Sequence, residues 1–296
     1  MKKHLKALDG TQFAPNVNLD RVCISAAASD RKAFRDQPGH KVHRSHFLRS
    51  GAYSRLLETE DTDTGVTTLV YDKRRVPWVP ETKVTIRAGD SRGLQSSDLL
   101  GAFELLNDGY VSLLELAFDF PEQAGLNIGF AMAHVLFGKS RWTARKANTV
   151  WFGTRRSTKF IRAYQKIKLG IFRIELEFHA SWLRHHGIRD CFDFFKIPDL
   201  VLRRHIFFVR LDWRAVVNKI RQSVPNSRLA LRNLEWERHV LHATLRYLRR
   251  ELRLTNTHRF LLPNELNDVA ARALKLWAAE WPTRPFRLRR TGGHRQ

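Results

Sequence analysis

NTVWFGTRRSTKFIRAYQKIKLGIFRIELEFHA, residues 148–180, holds three short runs that read as strands. Residues 150–153 are β-branched and aromatic, residues 159–166 alternate in polarity, and residues 170–178 alternate again. Strand side chains point to opposite faces in turn, so each residue's face follows from its parity. In the second run Ile161 and Ala163 share one face, while Phe160, Arg162, Tyr164 and Lys166 share the other. In the third, Ile174, Leu176 and Phe178 oppose Arg173, Glu175 and Glu177. A short connection containing Gly170 favours an antiparallel hairpin between them. One face of that hairpin is expected to be core. The other collects a tyrosine, several cations and two carboxylates.

An upstream run, LLELAFDF at 113–120, has the same character. Leu114, Leu116, Phe118 and Phe120 lie on one side, Glu115, Ala117 and Asp119 on the other. If the three runs are neighbours in one sheet, Glu115, Asp119, Glu175 and Glu177 converge beside Tyr164. Carboxylate oxygens are natural ligands for a hard divalent cation, Mg²⁺ or Mn²⁺. A hydroxyl beside such a cation can attack a phosphodiester that the cation polarises. The competing reading is a half-exposed antiparallel sheet with ordinary charged residues on its wet face.

LLELAFDF, WFGTRRSTKFIRAYQK and FRIELEF, in that order and spacing, resemble the replication initiation factor family. This family comprises rolling-circle plasmid replication initiators and related relaxases of conjugative elements. VYDKRRVPW, KVTIRAG and residues 19–27 look like its early strands, so the resemblance spans residues 19–198. It implies a site-specific single-strand DNA endonuclease and strand transferase that nicks and closes DNA. Tyr164 would form a 5′-phosphotyrosine and leave a free 3′-hydroxyl. Asp119, Glu175, Glu177 and Glu115 would hold the divalent metal, although the family often has Asp at the position of Glu115. Arg155, Arg156, Lys159, Arg162 and Lys166 would hold DNA phosphates. The implied partner is origin or transfer-origin DNA, single-stranded at the nick. A homodimer and a host helicase are further partners that the resemblance leaves open. The rival class is a non-catalytic, sequence-specific DNA-binding protein, which shares the charge but has no use for Tyr164 and the acids.

The chain has 296 residues, with 52 Lys+Arg against 29 Asp+Glu, a formal charge of +23. Such a balance argues for a polyanionic partner, and nucleic acid is the simplest. No apolar run reaches the length of a membrane span, so no membrane partner is expected. The N-terminal residues lack a secretory apolar region, and two cysteines are too few for a disulfide framework. A cytoplasmic location is the expectation.

The predicted class is α+β, a mainly antiparallel sheet with helices on one face, followed by a basic helical part. Residues 1–18 are expected to be a basic arm, 19–198 the nicking domain and 199–296 a basic helical DNA-binding region. Residues 30–50, with His40, His43 and His46, read as a solvated basic loop. Residues 97–106 read as a capped amphipathic helix and 123–137 as a buried one, with His134 a core residue. The adjacent pair His185-His186 reads as surface. Helices are expected over 202–220, 229–254 and 267–280, the second with an apolar stripe of Val240, Leu241, Leu245, Leu248 and Leu252. All the proposed chemistry lies before Pro198, so truncation there is expected to leave a working core.

Overall fold

The computed structural model describes residues 14–48, 51–73, 80–89, 92–136, 142–146, 148–153, 157–201, 207–223, 227 and 241–283. Arg155 and Arg156 lie outside these, as do most of the N-terminal arm, the start of the helix expected from 229 and the basic tail. The protein is α+β, with antiparallel strands dominating. Among the described residues no helix is long and apolar enough to cross a membrane.

The chain forms two compact units, Leu19–Leu113 with Ala180–Ile197 and Lys275–Gln296, and Met1–Asn18 with Leu114–His179 and Pro198–Leu274. Strand β1 (Asn16–Ala26) carries the boundary within its own length.

In the first of these units, β1 is followed by β2 (Ala28–Ser29), β3 (His40–Phe47), β4 (Tyr53–Asp61), β5 (Thr67–Lys73), β6 (Thr82–Arg87) and β7 (Leu106–Asn107). The sheet order is β1-β6-β5-β4-β3. Val22, Ile24 and Ala26 of β1, with Val84 and Ile86 of β6, are buried. The helix Ser96–Glu104 is fixed at its start by Asp98, whose side chain accepts from Gln95 N–H at 2.7 Å.

Residues 30–50 are not a loop. Asp30 caps a short helix, Arg31–Arg35, and the histidines lie on β3, an edge strand exposed along nearly its whole length. Its partner explains it. The register sets His40 opposite Asp61, Lys41 opposite Glu60 and Arg44 opposite Glu58. Arg44 reaches Glu58 at 3.4 Å, and His43 pairs with Glu60. The acidic run looked like a turn and the basic run like a loop because each lacks an apolar period. Set across from one another, their opposite charges favour the strand pair.

The other unit contains β8 (Tyr110–Pro121, from Leu114 onward), β9 (Val135–Leu136), β10 (Trp142–Lys146), β11 (Thr149–Phe152), β12 (Lys159–Lys166), β13 (Ile171–His179), β14 (Phe207–Leu211) and β15 (Leu261–Pro263). Strands β10-β11-β12-β13-β8 follow one another in the sheet, and β15-β14-β9 form a smaller one. The predicted hairpin is present, with unbroken antiparallel register from Lys159↔Phe178 to Lys166↔Ile171. Ile161, Ala163, Ile174 and Leu176 are fully buried, as their parity requires.

Two expected helices are cut short. Gly125, at φ 63, ends a 3₁₀ turn, and Asn127 caps a helix of only Ile128–His134. The burial of the His134 side chain is outside the described residues. Residues 207–211 form β14 instead of helix, because Phe207, Phe208 and Val209 find strand partners far away in sequence, at β9 and β15. The helix Trp213–Ser223 begins only after Asp212, which accepts from Ala215 N–H at 3.0 Å. The helix Leu241–Arg250 puts Leu245 and Leu248 into a core with Val209, Val216, Ile220 and Phe260. His185 is exposed at the end of the helix Ala180–His185, and His186 stacks on Trp182.

Candidate functional site

Period-two alternation puts Glu115 and Asp119 on one face of β8, Arg162 and Tyr164 on one face of β12, and Arg173, Glu175 and Glu177 on one face of β13. The hairpin register sets Arg162 directly across from Glu175 and Tyr164 across from Arg173. The Tyr164 hydroxyl donates a hydrogen bond to Glu175 Oε1. Arg162 Nη2 lies 2.8 Å from Glu115 Oε1 and 2.5 Å from Glu175 Oε2. Arg173 grips Asp119 with two parallel bonds, Nε to Oδ1 at 2.5 Å and Nη2 to Oδ2 at 2.6 Å. Asn18 Nδ2 adds a third donor to Asp119 Oδ2 at 3.2 Å.

This polar face is not wet. Glu115 is 3 % exposed, Glu175 2 % and Arg173 5 %. Charges taken out of water need partners, and Glu115, Asp119 and Glu175 have the guanidinium groups of Arg162 and Arg173 among theirs.

The electrostatics follow from that burial. Burial, then the charge of Glu175 and its hydrogen bond, raise the Tyr164 pKa above the ordinary phenol value, outweighing the lowering by Arg173 and Arg162. For Arg162, burial acts to lower the pKa, but Glu175 and Glu115 outweigh it and the net shift is upward. At neutral pH the site therefore holds a protonated tyrosine beside a charged guanidinium.

The expected metal ligands divide. Glu115 and Glu175 come together through Arg162. Asp119 is committed to Arg173 and Asn18, so its oxygens already have three donors. Glu177 stands opposite Phe160 and pairs with His179 Nε2 at 2.8 Å. Glu115 and Glu175 are thus the two carboxylates that share a partner in Arg162. An all-oxygen carboxylate set fits a hard cation such as Mg²⁺ or Mn²⁺.

The expected phosphate ligands also divide. Arg162 is in the cluster and Lys166 lies on the same face at the strand's end. Lys159 has the opposite parity, with Ile161 and Ala163, and its burial lowers its pKa. The structure does not bring it to Tyr164. Arg173, placed on this face by its parity but given no role, turns out to orient Asp119.

No family model matches the chain, and no curated protein matches it. A functional reading therefore stands on the motifs and on this geometry.

Proposed function

We propose that the protein is a metal-dependent DNA-nicking and strand-transfer enzyme of the rolling-circle initiator or relaxase type, with Tyr164 as nucleophile. The observation that carries this reading is the Tyr164 hydroxyl hydrogen-bonded to Glu175 within a buried carboxylate cluster. A phenol whose pKa is raised needs a base, and a base must lie within hydrogen-bond reach of the proton it takes. Glu175 does.

In the proposed reaction Tyr164 Oη forms a bond to phosphorus as its proton passes to Glu175. The bond from phosphorus to the 3′ oxygen breaks, and that oxygen takes up a proton to become a free 3′-hydroxyl. The 5′-phosphate stays on the tyrosine, so the reverse step rejoins the strand without a nucleotide cofactor. Arg162 and Lys166 would hold the non-bridging phosphate oxygens. Glu115 and Glu175 are the carboxylates that would hold Mg²⁺ or Mn²⁺, a Lewis acid that offsets phosphoryl charge. The formal charge of +23 would draw the DNA strand in.

The test is a covalent protein–DNA adduct on single-stranded origin DNA with Mg²⁺ or Mn²⁺, resolved by denaturing electrophoresis. It should form with the parent chain and be absent from Tyr164→Phe, with DNA binding retained in both. One observation favours the non-catalytic alternative: Arg162 already satisfies Glu115 and Glu175, as a purely structural cluster would require. Binding without an adduct, across varied origins and both metals, would decide for that alternative.

A further inference from the structure

The hairpin that carries Tyr164 turns at Lys166-Ile167-Lys168-Leu169-Gly170, and this turn has the wrong polarity for an ordinary one. Ile167 is 71 % exposed and Leu169 55 %, with Lys168 exposed between them. Hairpin turns are normally built from small polar residues, and two solvent-facing aliphatics forgo the stabilisation of burial. The turn is also well defined. A single 3₁₀ turn, Ile167–Leu169, is closed by Gly170 N–H to Ile167 C=O at 3.2 Å, with Gly170 at φ 61. The strand register beneath it is unbroken up to Lys166↔Ile171. Glu122 lies beside the turn, its Oε2 3.2 Å from where a Cβ on Gly170 would stand.

At the tip itself the chain carries two cations, Lys166 and Lys168, with Glu122 the acid beside Gly170, and the formal charge of the whole chain is +23. A stiff aliphatic point on a cationic base suits a polyanion whose interior is apolar, and stacked nucleic-acid bases have that character. DNA-binding proteins that unstack base steps use Ile and Leu wedges of this kind. Tyr164 is three residues back along the strand, about 10 Å at the strand rise.

We propose that Ile167 and Leu169 form a wedge that enters the end of a DNA duplex, stacks on the terminal base pair and diverts one strand along the hairpin towards Tyr164. Delivery of that strand for cleavage rests on the nicking reading. Duplex opening does not, and it is tested without chemistry.

The full-length chain is mixed, in EDTA, with a fork oligonucleotide bearing 2-aminopurine at its last paired position. Binding should raise the fluorescence severalfold as that base unstacks. Ile167→Ser with Leu169→Ser should keep the circular dichroism spectrum and, with every cation retained, the affinity, yet give no rise. An equal rise in both proteins, or a parent chain that saturates the fork with no rise, overturns the wedge. The second result would leave the tip as a docking patch for another protein. Unstacking in EDTA together with no adduct in Mg²⁺ would sink the nicking reading and keep the wedge.

Discussion

Asp119 and Tyr164 show how much a single side chain's meaning depends on its partners. As a solvent-facing metal ligand, Asp119 would tolerate conversion to Asn with little loss of stability. Gripped bidentately by a buried Arg173, it should not. Asp119→Asn removes the bidentate carboxylate from that guanidinium, leaving Glu175 Oε1 3.6 Å from its Nη1, and should destabilise the protein by about 3 kcal/mol in chemical denaturation. Glu177→Gln, on a partly exposed pair with His179, should cost under about 1 kcal/mol by the same measurement. Equal stability of both variants would show that the Asp119 pair contributes nothing. Tyr164 carries a pH signature as well. Its pKa is raised in the folded state, so the native protein holds that proton more tightly than the unfolded chain. The associated stability is present below the ordinary phenol value of 10.0 and is lost as pH rises through the folded pKa. Alkaline destabilisation, followed by the denaturant midpoint, should be shallower in Tyr164→Phe than in the parent.

Elements here are specified by their ends and by their partners. The β12–β13 hairpin depends on Gly170, whose positive φ a side chain rarely adopts and whose Cβ position is crowded by Glu122. Gly170→Ala should destabilise the protein by about 1–2 kcal/mol, read from a thermal or denaturant midpoint. The same substitution at Gly125, also at positive φ but with nothing near its Cβ position, isolates the backbone part of that cost. Edge strand β3 shows the other dependence. Its cations find their matches only in β4, so conversion of Glu58 and Glu60 to Lys should loosen the ribbon, detected as faster amide exchange confined to β3 and β4.

At the level of the molecule, the arginine-dense C-terminal third is not an appendage. Pro198–Leu274 belongs to the same compact unit as Leu114–His179. Phe208 of β14 is 1 % exposed, its ring centroid 6.0 Å from that of Phe120 and 6.4 Å from that of Phe130, and β14 pairs with β9. Phe120 closes the strand that carries Glu115 and Asp119. Truncation at Pro198, which motif position alone suggests is harmless, should therefore expose the apolar end of β8 and unfold that unit. Circular dichroism of the truncated protein checks this, and a cooperatively folded fragment that still forms an adduct would overturn it. Arg246, Arg249 and Arg250 are exposed, so if the proposed DNA binding uses them, their conversion to Gln in the full chain should flatten the salt dependence of duplex binding.

The sequence by itself determined the α+β class, the three alternating runs and the face on which each residue of them lies. Strand geometry makes side-chain direction a strict function of parity, and Ile161, Ala163, Ile174 and Leu176 are buried accordingly. Which cation would meet which acid was beyond it. Pairing is set by register between segments up to a hundred residues apart, as with Asn18 and Asp119. Local pattern was equally silent about β14, whose partners are distant, and about β3, whose complement lies on the next strand. Burial of the polar face was the largest surprise, because alternation marks a face as polar without saying whether water reaches it. Only the tertiary structure decided that Asp119 orients with Arg173 and that Glu175 takes the Tyr164 hydrogen bond. Each of these is a contact between side chains on different strands, and packing in three dimensions alone brings them within reach.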